Sequence, residues 1–88
     1  MNKYGARARD HWKQWLPQRY RAIKDPDSFF SKLGEEIQDR VEDLAQALAG
    51  EDPPGEQYLA KVGRLQMARA NAESQALQEL ALLEPEQK

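Results

Sequence analysis

An all-α fold is what this sequence predicts: a small helical bundle in which a kinked, aromatic N-terminal helix packs across a long antiparallel helix hairpin. Three observations carry that expectation. Apolar residues recur every three or four positions along most of the chain, the spacing that gathers them on one face of an α-helix. The alternating apolar–polar pattern of half-buried strands is absent. Ala, Leu, Glu, Gln, Lys and Arg dominate the composition, and these are the stronger helix formers. With 88 residues in all, one domain spanning 1–88 is expected.

The first helix is expected over 3–15, with Tyr4, Ala8, Trp12 and Trp15 forming one apolar stripe. Pro17 ends or kinks it, because the residue before a proline avoids the α region. A short second piece over 17–23 begins with that proline in its first turn and shares Tyr20 and Ile23 on one face. Asp25 and Pro26 then mark a strong helix start. The aspartate can accept from free amides of the first turn, and the proline lacks an N–H that the first turn does not use. This helix should run over 26–49 and stop at Gly50, which takes the left-handed conformation without a Cβ penalty. Its apolar seam is Phe30, Leu33, Ile37, Val41, Leu44 and Leu48.

Residues 50–55 read Gly-Glu-Asp-Pro-Pro-Gly, a connector short and stiff enough to return the chain as a helix hairpin. The last helix is expected over 56–83, burying Tyr58, Val62, Leu65, Ala72, Ala76, Leu80 and Leu83, with 84–88 fraying around Pro85. Gly34 and Gly63 fall inside helices, where each costs about 1 kcal/mol against alanine. Close packing of the two long helices is the expected reason for both. The sequence leaves open whether one chain buries Trp12, Trp15, Phe29 and Phe30 alone or a homodimer shares the task. Chains of this size bury only about 60–65% of their unfolded surface.

Composition removes several function classes. No cysteine is present and His11 is the one histidine, so disulfides, thiolate catalysis, iron–sulfur clusters and Cys- or His-rich metal sites are excluded. No cofactor and no metal are expected. The Glu-x-x-His pairing of di-metal helical bundles is missing. His11 reads as a partly exposed helix residue beside Trp12 with no base partner, and the glycines form no phosphate-cradling loop. No catalytic residue is assigned. No apolar run approaches the roughly 20 residues of a membrane span, and no signal-peptide pattern opens the chain. A soluble cytoplasmic protein is expected.

A net charge of −2 hides a sorted distribution. Residues 1–24 carry +6, residues 25–56 carry −8, and residues 57–88 balance to zero. Such sorting suggests a basic interaction surface, an acidic one, or the two folded against each other. In the basic segment Arg7, Arg9, Lys13 and Arg19 interleave with Tyr4, His11, Trp12, Trp15 and Tyr20. Cations for phosphates and flat rings for bases are what single-stranded nucleic-acid binders need. Core rings flanked by solvated cations give the same pattern without any ligand, and a slightly acidic chain favours a protein partner. The acidic face of the central helix is Glu35, Glu36, Asp39, Glu42 and Asp43. Lys32 and Arg40 are placed to offset Glu36 at i,i+4. Such a face is either solvated, or answers the N-terminal cations, or forms a carboxylate ladder that imitates phosphates. Arg64, Arg69 and Asn71 on the last helix make a polar face or a partner surface.

The stretch 62–80 also resembles the C-terminal helix of transposon-encoded TnpV-type proteins. The similar positions are Val62, Arg64, Leu65, Gln66, Arg69, Ala72, Glu73, Leu77, Glu79 and Leu80. The N-terminal part is similar too, with Gly5, a basic run, Leu16-Pro17 and Tyr20 ahead of a helix. The chain departs from that pattern at Asp25-Pro26-Asp27, in the 50–55 connector, and at Ala76. The resemblance implies carriage on a mobile element and a small accessory role, with no catalytic residue to carry over. Together these readings predict a non-enzymatic helical accessory protein of a mobile genetic element that binds a protein partner. Two rivals stand beside it. One is a nucleic-acid binder using Arg7, Arg9, Lys13, Trp12 and Trp15. The other is an inhibitor of a host defence nuclease, of anti-CRISPR or anti-restriction type, acting through the acidic helix.

Overall fold

In a computed structural model, which describes residues 1–86, the chain is all-α: α1 (Lys3–Trp15), α2 (Pro17–Arg21), α3 (Pro26–Ala49) and α4 (Tyr58–Leu80). The stretch at Gln87 and Lys88, where fraying was expected, lies outside the described residues. Each helix start has a local cause. The Asn2 side chain accepts from the Gly5 amide at 2.9 Å, and the Asp25 carboxylate accepts from the Ser28 amide at 3.2 Å. Pro17 and Pro26 both sit in first turns. α3 stops at Gly50, whose φ of 64° lies in the left-handed region.

α3 and α4 form the hairpin, and α1 lies against α3. The buried stripe of α1 is Tyr4, Ala8, Trp12 and Leu16, at strict four-residue intervals. Leu16, not Trp15, therefore takes the last core position, and Trp15 is 45% exposed. Beneath them lie Phe30, Ile37 and Val41 of α3 and Ala72, Ala76 and Leu77 of α4. The Phe30 ring packs edge-on to Trp12 and Phe29, at 5.5 and 4.9 Å between centroids, and stacks on Tyr20 at 6.0 Å. Full burial of such a side chain contributes about 1.5–3 kcal/mol.

Two glycines let α1 approach α3. A Cβ on Gly5 would run into the Phe30 carbonyl, and one on Gly34 into the Asn2 amide oxygen and the Gly5 nitrogen. Asn2 closes that crossing by donating to the Gly34 carbonyl at 3.0 Å and to Gln38 Oε1 at 3.2 Å. The expectation that Gly34 and Gly63 serve the hairpin is therefore corrected. Gly34 serves the α1 crossing, and the space over Gly63 is open.

Three helix ends differ from expectation, two through local backbone turns and one through distant side chains. α2 ends at Arg21 rather than 23, in a turn closed by the Ile23 amide on the Tyr20 carbonyl. α4 starts two residues after 56, because the Glu56 amide bonds back to the Pro53 carbonyl and Gln57 is extended. It ends at Leu80 rather than 83. Beyond it the Trp12 indole N–H donates to the Ala81 carbonyl at 2.9 Å, and His11 Nε2–H donates to the Leu83 carbonyl at 2.8 Å. Residues 84–86, expected to fray, instead return along α1 and α2. The Glu86 amide donates to the Trp15 carbonyl at 2.9 Å.

The molecule is elongated. Its extents are 53 × 26 × 17 Å and its radius of gyration is 16.2 Å, against about 12 Å for a compact domain of this length. At 1.5 Å per residue α1 spans about 20 Å and α3 about 36 Å, so α1 covers roughly half of the hairpin. Leu48, Tyr58 and Leu65, expected in the core, lie on the uncovered half and are 50%, 78% and 42% exposed.

Candidate functional site

The basic and acidic segments do not neutralise each other. Among the described residues, the one ion pair that joins the first 24 residues to another helix is Lys3 with Glu73 of α4, at 3.3 Å. Glu35, Glu36, Asp39, Glu42 and Asp43 all face solvent along α3 and make no ion pair among the described residues. The expected offset of Glu36 by Arg40 is not formed. Arg40 Nε donates instead to Glu79 at 3.1 Å, and that contact, with the Gln75 amide, holds the Glu79 carboxyl below its ordinary value.

The helical period of α1 turns Lys3, Arg7, His11 and Gln14 outward while its core stripe faces α3. With Asp10, Trp15 and Leu82 they border a shallow concavity of about 600 Å³. Its floor is firm, because His11 and Trp12 are anchored to the carbonyls of residues 83 and 81. Arg9 leans towards Asp10 at 3.8 Å, with its Nε covered and unpartnered. Lys13 Nζ stands 5.5 Å from the centre of the Tyr20 ring. Arg19 is exposed, and its backbone amide, with that of Gln18, donates to the Glu86 carboxylate at 2.9 and 3.3 Å. Glu86 thus satisfies two free amides at the start of α2. It was missed because a short polar tail after a proline carries no local sign of its acceptors.

The other expected site residues are dispersed. Arg69 and Asn71 are exposed on α4, far along the chain from the basic segment. Arg64 belongs to the hairpin tip, where it ties the connector to the end of α3. Its Nε and Nη2 donate to the two Glu56 oxygens at 2.8 and 2.9 Å, Nη2 also reaches Asp52 at 2.7 Å, and Nη1 donates to the Ala49 carbonyl. Lys61 Nζ joins Asp52 at 2.6 Å. Lys61 and Arg64 hold the Asp52 carboxyl below its ordinary 3.8, and Arg64 holds Glu56 below its ordinary 4.5. The two carboxylates in turn raise the Arg64 guanidinium. The sequence signal was present: two connector carboxylates followed by two cations in the first turns of the next helix.

Among the described residues no three His, Asp or Glu side chains lie close enough together to hold a metal ion, and no helix is long and apolar enough to cross a membrane. The chain matches no known family model, no curated protein and no solved structure.

Proposed function

We propose that this chain is a non-enzymatic interaction protein, an accessory of a mobile genetic element, which binds a protein partner through the outward face of α1. One observation carries the reading: Arg7, His11 and Trp15 border one concavity, and the Arg7 and Trp15 side chains make no hydrogen bond or ion pair among the described residues. Arg7 has no carboxylate partner among the described residues, and Trp15 keeps nearly half of its surface in solvent. Arginine and tryptophan are enriched where protein interfaces concentrate their binding energy. A partner that offers carboxylates beside an apolar patch would satisfy both. The mobile-element part of the proposal rests on the helix-face resemblance over 62–80.

A second reading, nucleic-acid binding, is favoured by the exposure of Arg7, Lys13, Arg19, Arg21 and Lys24 at one end of the molecule. The rings weigh against it. Tyr4 and Trp12 are core residues and Trp12 spends its indole N–H on Ala81, which leaves Trp15 as the one exposed tryptophan for base stacking.

The test is a photo-cross-linking residue placed at Trp15, or at Asp43 on the acidic face, in cells that make the protein. A protein adduct from position 15 that disappears in Arg7→Glu is the expected result. An adduct to nucleic acid from position 15 would replace the proposal with the second reading. A nuclease captured only from position 43 would move the site to the acidic helix, and turnover by the purified chain would end the non-enzymatic assignment.

A further inference from the structure

The face of α4 turned away from α3 carries no charge. Leu59, Gly63, Met67, Ala70 and Ser74 recur there every three or four residues and all are exposed, so they form one stripe along the helix. Leu59 and Met67 are 81% and 68% exposed. Nothing lies within 4 Å of a Cβ built on Gly63. Mid-helix glycine weakens a helix and is useful where another backbone approaches closely, and no described segment of this chain approaches it.

Area points the same way. The chain exposes 6443 Å², whereas a compact monomer of 10.1 kDa exposes about 5,300 Å². The surplus of about 1,100 Å², spread along the elongated molecule, leaves room for the roughly 800 Å² that each partner buries in a standard interface.

Charge selects the occupant. Two copies meeting through α1 and α2 would set cations against cations, and two meeting through α3 would set carboxylates against carboxylates. The α4 stripe meets itself without repulsion. We propose that the chain forms a two-fold dimer in which this stripe packs antiparallel on the same stripe of a second copy. The direction also follows from charge. The basic end of the molecule is attached to the C-terminal half of α4 through Lys3–Glu73 and Trp12–Ala81, so antiparallel helices carry the two basic ends apart and parallel helices would bring them together. An axis through the Gln66–Met67 peptide sets Leu59 opposite the partner's Ser74 and Gly63 opposite the partner's Ala70. The small Gly63–Ala70 pairs then let the two backbones approach, Leu59 packs on the small Ser74, and Met67 meets its own copy beside the axis. Closed two-fold symmetry uses the same patch on both copies, and the α1 concavity stays open at each end.

Sedimentation equilibrium of the full chain from about 1 µM to about 1 mM tests the proposal. The expected mass is twice 10.1 kDa. Leu59→Glu with Met67→Glu should weaken association by about 100-fold or more while leaving helical circular dichroism unchanged, since both side chains are exposed in the single chain. Because the chain has no cysteine, Met67→Cys should oxidise to a covalent dimer. Leu59→Cys should not cross-link with itself, but should cross-link with Ser74→Cys. A chain that stays at 10.1 kDa over the whole range, or a dimer indifferent to the two glutamates, overturns the proposal. Self-cross-linking of Leu59→Cys as readily as Met67→Cys overturns its antiparallel geometry.

Discussion

The two halves of the α3–α4 hairpin use similar apolar residues and come to different ends. In the half under α1, Phe30, Ile37 and Val41 lose all contact with solvent. In the half beyond α1, Leu48, Tyr58 and Leu65 lie on the same helices and remain substantially exposed. Two helices alone cannot surround a side chain, and a third layer is needed to complete its burial. The half that lacks this layer is closed by polar contacts at its tip and keeps its remaining apolar surface in contact with solvent.

The largest expected effect sharpens that contrast. Phe30→Ala should cost about 3–5 kcal/mol, a large fraction of the stability of a domain this small. Leu48→Ala should cost less than about 1 kcal/mol. Urea denaturation read by circular dichroism measures both, and equal losses would erase the distinction between the halves.

The glycines provide the next test. Gly5→Ala should destabilise by about 1–3 kcal/mol, because the new methyl meets the Phe30 backbone carbonyl. Gly63→Ala should stabilise by about 0.5–1 kcal/mol, measured with Leu59→Glu and Met67→Glu present so that association does not enter. A loss at Gly63 on that background would mean that something in the single chain does approach it.

Trp12→Phe keeps an aromatic ring in the core but leaves the Ala81 carbonyl without its indole donor. A loss of about 1–2 kcal/mol is expected, with faster amide exchange in residues 81–86. Unchanged exchange there would show that His11 and Glu86 suffice to hold the returning segment.

The smallest effect belongs to the tip. Asp52 and Glu56 have folded values lowered by Lys61 and Arg64. Their contribution is therefore present above the ordinary values of 3.8 and 4.5 and is lost as pH falls through the lowered ones. On acidification through that window, amide exchange should rise in residues 50–57 before it rises in α1. Arg64→Met should produce the same local opening at neutral pH. If the whole molecule opened together, the two halves would be one cooperative unit.

The punctuation of this fold was legible because it is local. Asp25-Pro26, Gly50 and Leu16-Pro17 each act on their own backbone within a few residues, so α1 and α3 begin and end where the residue types put them. The candidate site was legible only in part. Arg7 and Trp15 could be named from composition and spacing. That Trp12 faces inward and Trp15 outward depended on a strict four-residue stripe ending at Leu16. Arg64 was read as part of a polar face or a partner surface because its carboxylates lie in a connector whose path a helical pattern does not describe. Glu86 and the bonds from His11 and Trp12 join residues about 70 positions apart, and no periodicity reports such pairs.

By itself the sequence determined that the chain is helical, where its long hairpin turns, and that its charges are sorted by segment. Helix periodicity and capping are short-range, and side-chain charge needs no fold. Tertiary structure decided which apolar residues are buried, which glycine serves a crossing, and that the basic and acidic surfaces stay apart. Those outcomes depend on how far one helix of about 20 Å reaches along another of about 36 Å, a length comparison that exists only once the chain has folded back on itself.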